Sequence, residues 1–347
     1  MTCDSRILIA VSGGVDSAVA ASLLLEQGFA CAGAHLLLFD GASEAENARA
    51  LTERLGIPFH LFDLKERFAC EVINRFAESY LRGETPNPCV VCNRLIKFGA
   101  LLEKALELGY DSIATGHYAR LEFSNHRYLL RKAADLSKDQ SYVLYTLTQA
   151  QLSRVRFPLG GMTKAQVRAY ALAKGFANAK KKESQDICFI PDGDYAAFLE
   201  RYTGQKLCPG DFIDPEGKKL GRHRGTPCYT LGQRKGLGLA LPAPGYVCAI
   251  NPIKNTVTVG QEALLFGKTL LAGDINLIAC DALDKPLRCK AKIRYRQAEQ
   301  WAVAEQLDER TLRVTFGEPQ RAITPGQSVV LYDGEYVVGG GRILQGT

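Results

Sequence analysis

Arg6-Ile7-Leu8-Ile9-Ala10-Val11-Ser12-Gly13-Gly14-Val15-Asp16-Ser17 is the stretch whose reading decides the fold. The run Arg6–Ser12 has the continuous apolar character of a strand buried on both faces, which is how strands read in a parallel sheet covered by helices. A helix is expected to follow from Val15 to Gln27, closed by Gly28 just past its last turn. Between strand and helix, Gly13 and Gly14 allow backbone N–H groups to approach an anion with no Cβ in the way. The helix N-terminus adds partial positive charge, and Ser12 and Ser17 add hydroxyl donors. The segment therefore reads as a phosphate loop, with a plain Ser-capped turn as the competing reading. No Lys-Ser/Thr pair closes it in the P-loop manner, and its glycine spacing is not that of a dinucleotide fold.

Outward from this point the alternation continues. Ala30–Phe39, Pro58–Leu64 and Ser112–His117 read as strands. Helices are expected from Ser43, whose partner Glu46 completes a capping-box pattern, over Lys65–Arg82 and over Asn93–Leu108. This pattern predicts an α/β fold, a parallel sheet whose ligands bind at the carboxyl ends of its strands. From about Asp135 to Tyr202 the chain reads as mostly helical, with a second capping box at Thr163 and Gln166 and a short helix over Asp194–Tyr202. Beyond Pro209, the turn-rich segments DPEG, LGQRKGLG, PAPG, NPIKN and TPGQ cut the sequence into short strands, the mark of small barrels or open sheets.

Composition shifts at the same place. Residues 1–203 carry 24 basic and 23 acidic side chains with 14 Gly, whereas residues 204–347 carry 19 against 14 with 19 Gly. The shift sets a domain boundary near Gly204, and the expected division is a nucleotide-binding domain with a helical extension over 1–203, a central β-rich domain over 204–272, and a β-barrel over 273–347. With 347 residues, 46% hydrophobic and 23% charged, the chain can bury real cores. That excludes a disordered chain, a collagen-like repeat and a disulfide miniprotein. No run approaches the ~20 apolar residues that span a bilayer, and the N-terminus lacks signal-peptide character, so a cytoplasmic protein without a membrane partner is expected. Eleven cysteines in such a chain point to thiols kept for chemistry or packing.

Among them Cys92 stands out, because a helix expected to start at Asn93 would lower its thiol pKa, helped by Lys97. Cys89-x-x-Cys92 is also the spacing of half a zinc site, but no second CxxC completes it and no zinc is expected. From spacing alone a thioredoxin-like pair stays open. Cys188 lies far along the chain, after the basic run Lys180–Lys182. Arg288, Lys290, Lys292, Arg294 and Arg296 alternate with Cys289, Ala291 and Ile293, so one strand would carry five cations on one face, a stripe suited to tracking RNA phosphates. Lys218, Lys219, Arg222, His223 and Arg224 form a second basic cluster.

The Ser12–Ser17 loop resembles that of the PP-loop ATP pyrophosphatases, which adenylate a carbonyl oxygen and release pyrophosphate. Later segments narrow the resemblance: Thr85-Pro86-Asn87-Pro88-Cys89-Val90-Val91-Cys92-Asn93, Ala114-Thr115-Gly116-His117-Tyr118, Lys138-Asp139-Gln140-Ser141-Tyr142, Ile187-Cys188-Phe189-Ile190, Thr230–Gly238 and Arg294-Tyr295-Arg296. Together they look like the tRNA 2-thiouridylase family, which thiolates a wobble uridine, and the similarity runs to Gly339-Gly340-Gly341. The resemblance implies ATP binding by Ala10, Val11, Ser12, Gly13, Gly14, Val15, Asp16, Ser17, Leu37 and Gly116, with Asp16 helping to hold Mg²⁺. It implies catalysis by Cys92 and Cys188, the latter carrying a persulfide and pairing with Cys92 as a transient disulfide. Asn87, Pro88 and Cys89 would cradle the target base, with Cys89 standing where some members carry Asp. Lys138, Asp139, Gln140, Arg294 and Tyr295 would contact tRNA. Implied partners are tRNAs of the Lys, Glu and Gln type and a sulfur-relay protein or cysteine desulfurase. Two rivals stand beside this reading: an amidotransferase-type PP-loop synthetase, and a non-catalytic nucleotide-dependent RNA-binding protein.

Overall fold

Ile7, Leu8 and Ile9 are fully buried in the middle strand of a five-stranded parallel sheet. The computed structural model describes residues 5–39, 42–176 and 187–346; Lys180–Lys182 lie outside the described residues. In chain order the first seven strands are β1 (Arg6–Ala10), β2 (Ala30–Leu37), β3 (Phe59–Asp63), β4 (Ser112–Ala114), β5 (Arg120–Ser124), β6 (Arg127–Arg131) and β7 (Val155–Arg156). The parallel sheet has the order β3-β2-β1-β4-β7. The chain works outward from β1 to β3 on one side, then crosses to β4 on the other. A topological switch point therefore lies between β1 and β4, where open α/β sheets form their ligand crevice.

Several local expectations are corrected. The second helix spans Ala42–Leu55, so Ser43 lies inside its first turn and is not its cap. The segment read as mostly helical contains β7, whose two residues complete the sheet, and β5 and β6 form an unforeseen hairpin. The capping box at Thr163 and Gln166 is present, as is the short helix, Tyr195–Thr203 behind Asp194. The helix Val15–Glu26 is buried over most of its surface, because Ala18 and Val19 pack against Val167 and Ala171 of the helix Lys164–Ala173.

The central domain is a four-stranded sheet in the order β10-β11-β8-β9, built from β8 (Gly210–Ile213), β9 (Lys219–His223), β10 (Tyr246–Asn251) and β11 (Thr256–Gly260). Phe212, Tyr229, Val247 and Val257 fill it. The last domain is a closed six-stranded barrel of β12 (Phe266–Leu277), β13 (Leu287–Lys292), β14 (Gln300–Asp308), β15 (Thr311–Arg321), β16 (Ser328–Asp333) and β17 (Tyr336–Gly346), sealed by β12 pairing with β17. Since β12 starts at Phe266 and passes unbroken through 272 and 273, the division we propose lies ahead of Phe266.

The barrel is locked to the nucleotide domain. Arg131 of β6 pairs with Tyr336 of β17, and Glu335 bridges Arg120 and Arg131. Leu130, Val330, Tyr332 and Val337 share one core cluster with Leu8 and Ile113. A Cβ at Gly340 would lie 2.3 Å from the Val329 oxygen and 2.9 Å from the Tyr145 ring, which is why bare backbone is needed there. The Thr85 N–H donates to the Pro325 oxygen of the barrel (2.9 Å), and the Thr85 hydroxyl meets Thr230 of the central domain (3.5 Å). The Pro-rich loop before Cys89 thus sits where all three domains converge.

Candidate active site

At the carboxyl end of β1, Gly13 takes a positive φ of 71°, and a Cβ there would lie 2.8 Å from that of Asn47. The Ser17 hydroxyl donates to the Gly14 oxygen (3.0 Å) and accepts from the Ser12 N–H (3.3 Å), so the loop holds its curve by its own bonds. Ser12 stays exposed while Val11 and Ser17 are buried. Ala10 and Leu37 end their strands on the same edge of the sheet. Gly116, after β4, meets the loop: a Cβ would come within 2.9 Å of the Asp16 carbonyl carbon and 3.0 Å of the Ser17 nitrogen. Thus Ala10, Val11, Ser12, Gly13, Gly14, Val15, Asp16, Ser17 and Gly116 gather at the β1/β4 switch point, with Leu37 one strand away.

Asp16 is already engaged. Lys164 Nζ lies 2.8 Å from each of its carboxylate oxygens, and the Tyr118 hydroxyl donates to Oδ1 at 2.8 Å. Lys164 is only 8% exposed and is the first residue of its helix. A cation at a helix N-terminus opposes the helix dipole, so its place is set by Asp16 and not by local propensity. Asp16 is the single carboxylate of the loop, and the Ser12 hydroxyl beside it stays exposed, whereas the Ser17 hydroxyl is taken up by the loop itself.

The thiol region differs from expectation in one respect. The helix starts at Pro88, capped by Asn87, whose Oδ1 accepts the Cys89 N–H at 3.1 Å. It runs on through a π-helical stretch, Asn93–Ala100, and Leu101–Glu107. Cys92 therefore lies a full turn inside the helix and Cys89 occupies its first turn. Cys92 is 8% exposed and packs among Phe68, Ile96 and Phe189. Burial pushes its thiol up to about 12; Lys97 pulls it down, and the neighbouring Cys188 and Cys89 push it up further. Helix-terminus activation is thus replaced by burial, which any chemistry at this thiol has to overcome.

Cys188 comes to the same place. It is exposed on a turn closed by the Ile190 N–H donating to the Ile187 oxygen (2.9 Å). Phe189 plugs into an aromatic box, its ring 5.7 Å from Phe68 and 5.3 Å from both Phe76 and Phe198. Burial and then Cys89 raise the Cys188 thiol, and Lys97 lowers it. Cys89 is likewise raised by burial and lowered by Lys97. One ammonium therefore acts on three thiols.

The two halves meet through His117. Its ring is 5.5 Å from that of Phe98, the residue after Lys97, and its Nδ1 lies 2.8 Å from Thr115 Oγ1. Burial, reinforced by Lys97, holds His117 well below the usual histidine range, so it is neutral. The turn Thr115–Tyr118 touches the phosphate loop on one side and the thiol-bearing helix on the other.

The expected tRNA contacts are also drawn together. The Tyr295 hydroxyl donates to the Asp139 backbone oxygen (3.1 Å), joining the Lys138–Gln140 and Arg294–Tyr295 segments. The Asp139 carboxylate itself accepts from the Ala133 N–H and the Ser141 hydroxyl, and Gln140 accepts the Tyr118 N–H. The basic stripe is shorter than its alternation predicts. Cys289, Ala291 and Ile293 are buried as expected, but β13 ends at Lys292. Arg294 is half-buried and donates to the Ala322 oxygen (2.8 Å) and Thr324 Oγ1 (3.2 Å), bracing the barrel end. Two residues escaped the sequence reading, Lys164, which resembles any first residue behind a capping box, and Trp301; Phe189 figures there only as part of the Cys188 motif, because its box comes from distant helices.

Comparison with known proteins places this geometry. Residues 5–192 match the tRNA methyl transferase HUP domain, 196–261 the tRNA methyl transferase PRC-barrel domain, and 267–343 the aminomethyltransferase beta-barrel domain. The tRNA-specific 2-thiouridylase MnmA of Acetivibrio thermocellus is 47% identical over 354 residues, covering 97% of this chain and 99% of the relative. That of Carboxydothermus hydrogenoformans is 47% identical, covering 97% of each chain, and that of Clostridioides difficile 44%, covering 99% of each.

Proposed function

The chain belongs to the tRNA-specific 2-thiouridylase family and is a sulfurtransferase enzyme, and from that premise we propose that it replaces the C2 oxygen of a tRNA wobble uridine with sulfur in two steps at one crevice. The amidotransferase and non-catalytic alternatives fall away with that membership.

In the first step ATP lies with its phosphates on Ser12–Ser17, its adenine side toward Leu37 and Gly116. The uracil O2 attacks the α-phosphorus, the bond to pyrophosphate breaks, and C2 carries an AMP leaving group. Mg²⁺ held with ATP spreads the phosphate charge, and Asp16 would hold it. Asn87, Pro88 and Cys89 present the base.

In the second step a sulfur-relay protein or cysteine desulfurase has loaded Cys188 as a persulfide. Its terminal sulfur attacks C2, the C2–O bond breaks and AMP departs. Cys92 then attacks the Cys188 sulfur: the S–S bond to the transferred atom breaks, a Cys92–Cys188 disulfide forms, and the electron pair stays on the new thiocarbonyl. A thiol reductant restores both cysteines. Lys97 stabilises each thiolate as it forms.

The observation that carries this reading is the convergence of Cys92 and Cys188 around Lys97, beside a turn that also packs on the phosphate loop. The test is product analysis with ATP, Mg²⁺ and tRNA: AMP and pyrophosphate are expected, and ADP with orthophosphate would overturn it.

A further inference from the structure

Trp301 is the chain's single tryptophan, and it is 54% exposed. So large an apolar body is ordinarily mostly buried, which makes its placement informative. It sits at the start of β14, where Ala302 and Ala304 point into the barrel core and Trp301 and Val303 point outward. Two cations on the neighbouring strand flank it. The Arg288 guanidinium lies 4.7 Å from the ring centroid and Lys290 Nζ 5.5 Å, in keeping with the register that sets Lys290 opposite Trp301. On the other side Gly317 approaches the Trp301 backbone and brings no side chain to cover the indole.

The charge around the ring is unbalanced. Glu305, on the same face of β14, is held by Arg313, and Glu299 is held by Lys132. Among the described residues no carboxylate pairs with Arg288 or Lys290. An apolar partner settling on the indole would strip water from two cations and offer them nothing. A polyanion that also carries flat aromatic faces satisfies both needs, and that combination is the chemistry of a nucleic acid.

Resting on the tRNA reading above, we propose that Trp301, Arg288 and Lys290 form a second RNA-contact surface on the barrel wall, away from the reacting uridine. A nucleotide of the bound tRNA stacks its base on the indole and sets its phosphate against the two cations. The chain leads from the end of β13 toward the first domain: five residues separate Lys290 from Tyr295, which touches Asp139, so the two lie at most about 18 Å apart at about 3.6 Å per extended residue. One RNA can therefore engage both places.

Because no other tryptophan exists, the tryptophan emission of the full-length protein, excited beyond the tyrosine absorption band, reports this surface. Titration with unmodified tRNA at low salt should quench it along the same curve as an independent filter-binding measurement. Trp301→Ala should weaken binding about tenfold, with Trp301→Phe recovering most of the loss. Arg288→Gln with Lys290→Gln should lower the slope of log affinity against log salt by about two. Binding of tRNA with unchanged emission and an unchanged Trp301→Ala affinity would overturn the surface while leaving the tRNA reading intact. Emission quenched by a sulfur-donor protein and not by tRNA would also overturn it. Absence of any tRNA binding would overturn the substrate reading itself, and this proposal with it.

Discussion

Lys164 Nζ stands 2.8 Å from both carboxylate oxygens of Asp16, so the acidic residue of the phosphate loop is held by a cation 148 residues away. The pair joins the helix Lys164–Ala173 to the loop it serves. Lys164→Met should therefore act on stability as well as catalysis. Removing one partner of a largely buried pair leaves the other uncompensated, here softened by the part-exposure of Asp16, for a loss of about 2 kcal/mol. Urea unfolding of Lys164→Met, Asp16→Asn and the double variant should show strong coupling, with the double variant more stable than the sum of the singles. Additive losses would mean the contact is incidental. Asp16→Ala should abolish AMP formation while the fold persists.

The cysteines divide by role. Cys92→Ser and Cys188→Ser should each abolish thiolation yet still accumulate adenylated tRNA, because neither touches the phosphate loop. Cys89→Ala should keep measurable activity: the bond from its position to Asn87 Oδ1 uses the backbone N–H, which alanine retains. A thiolation assay with a supplied persulfide source decides. A dead Cys89→Ala would show that the essential member of the Cys89/Cys92 pair has been misassigned.

Burial gives Cys92 a distinct reactivity. With its thiol pushed up to about 12, the reactive thiolate fraction should grow about tenfold per pH unit from pH 7 to 10 without a plateau. Of the three neighbouring thiols, alkylation followed by peptide mass spectrometry should label exposed Cys188 and Cys89 before Cys92. Lys97→Gln removes the charge that pulls Cys92 down, and should slow its labelling further.

His117 sets a pH dependence of stability. Its folded pKa lies well below the unfolded value of about 6.5. Above that pH both states are neutral and nothing is gained or lost. Below it the unfolded chain takes up a proton that the folded one refuses, so stability falls as pH drops, by up to about 1.4 kcal/mol per unit. Comparing urea midpoints at pH 7.5 and 5.5 should show a smaller drop for His117→Phe, which keeps a ring against Phe98 and Phe157.

The nucleotide half of the site was legible because its signals are local. Gly13, Gly14 and the flanking serines act through backbone geometry next to a strand that announces itself. The thiol half was legible only as residue types. Whether Cys92 sits before or inside a helix turned on Asn87, a cap six residues upstream of where the helix was expected to start. Val155–Arg156 is too short to show any period, and Lys164, Phe189 and Trp301 take their meaning from partners that no spacing rule connects to them. Alternation read the inward face of β13 correctly at Cys289 and Ala291, and failed where the strand ends.

The pairing of Arg131 with Tyr336 also has a bearing on how the chain is made. The nucleotide domain emerges from the ribosome first, but one edge of its hairpin and part of its Leu8 cluster are completed only by Val330, Tyr332 and Val337. About two hundred residues must still be synthesised, which at about 5–20 residues per second is roughly 10–40 s. Throughout that interval β6 offers an open hydrogen-bonding edge to any other nascent chain. Fragments that stop before Tyr336 are therefore expected to be insoluble, since an early hairpin is closed only by a late strand.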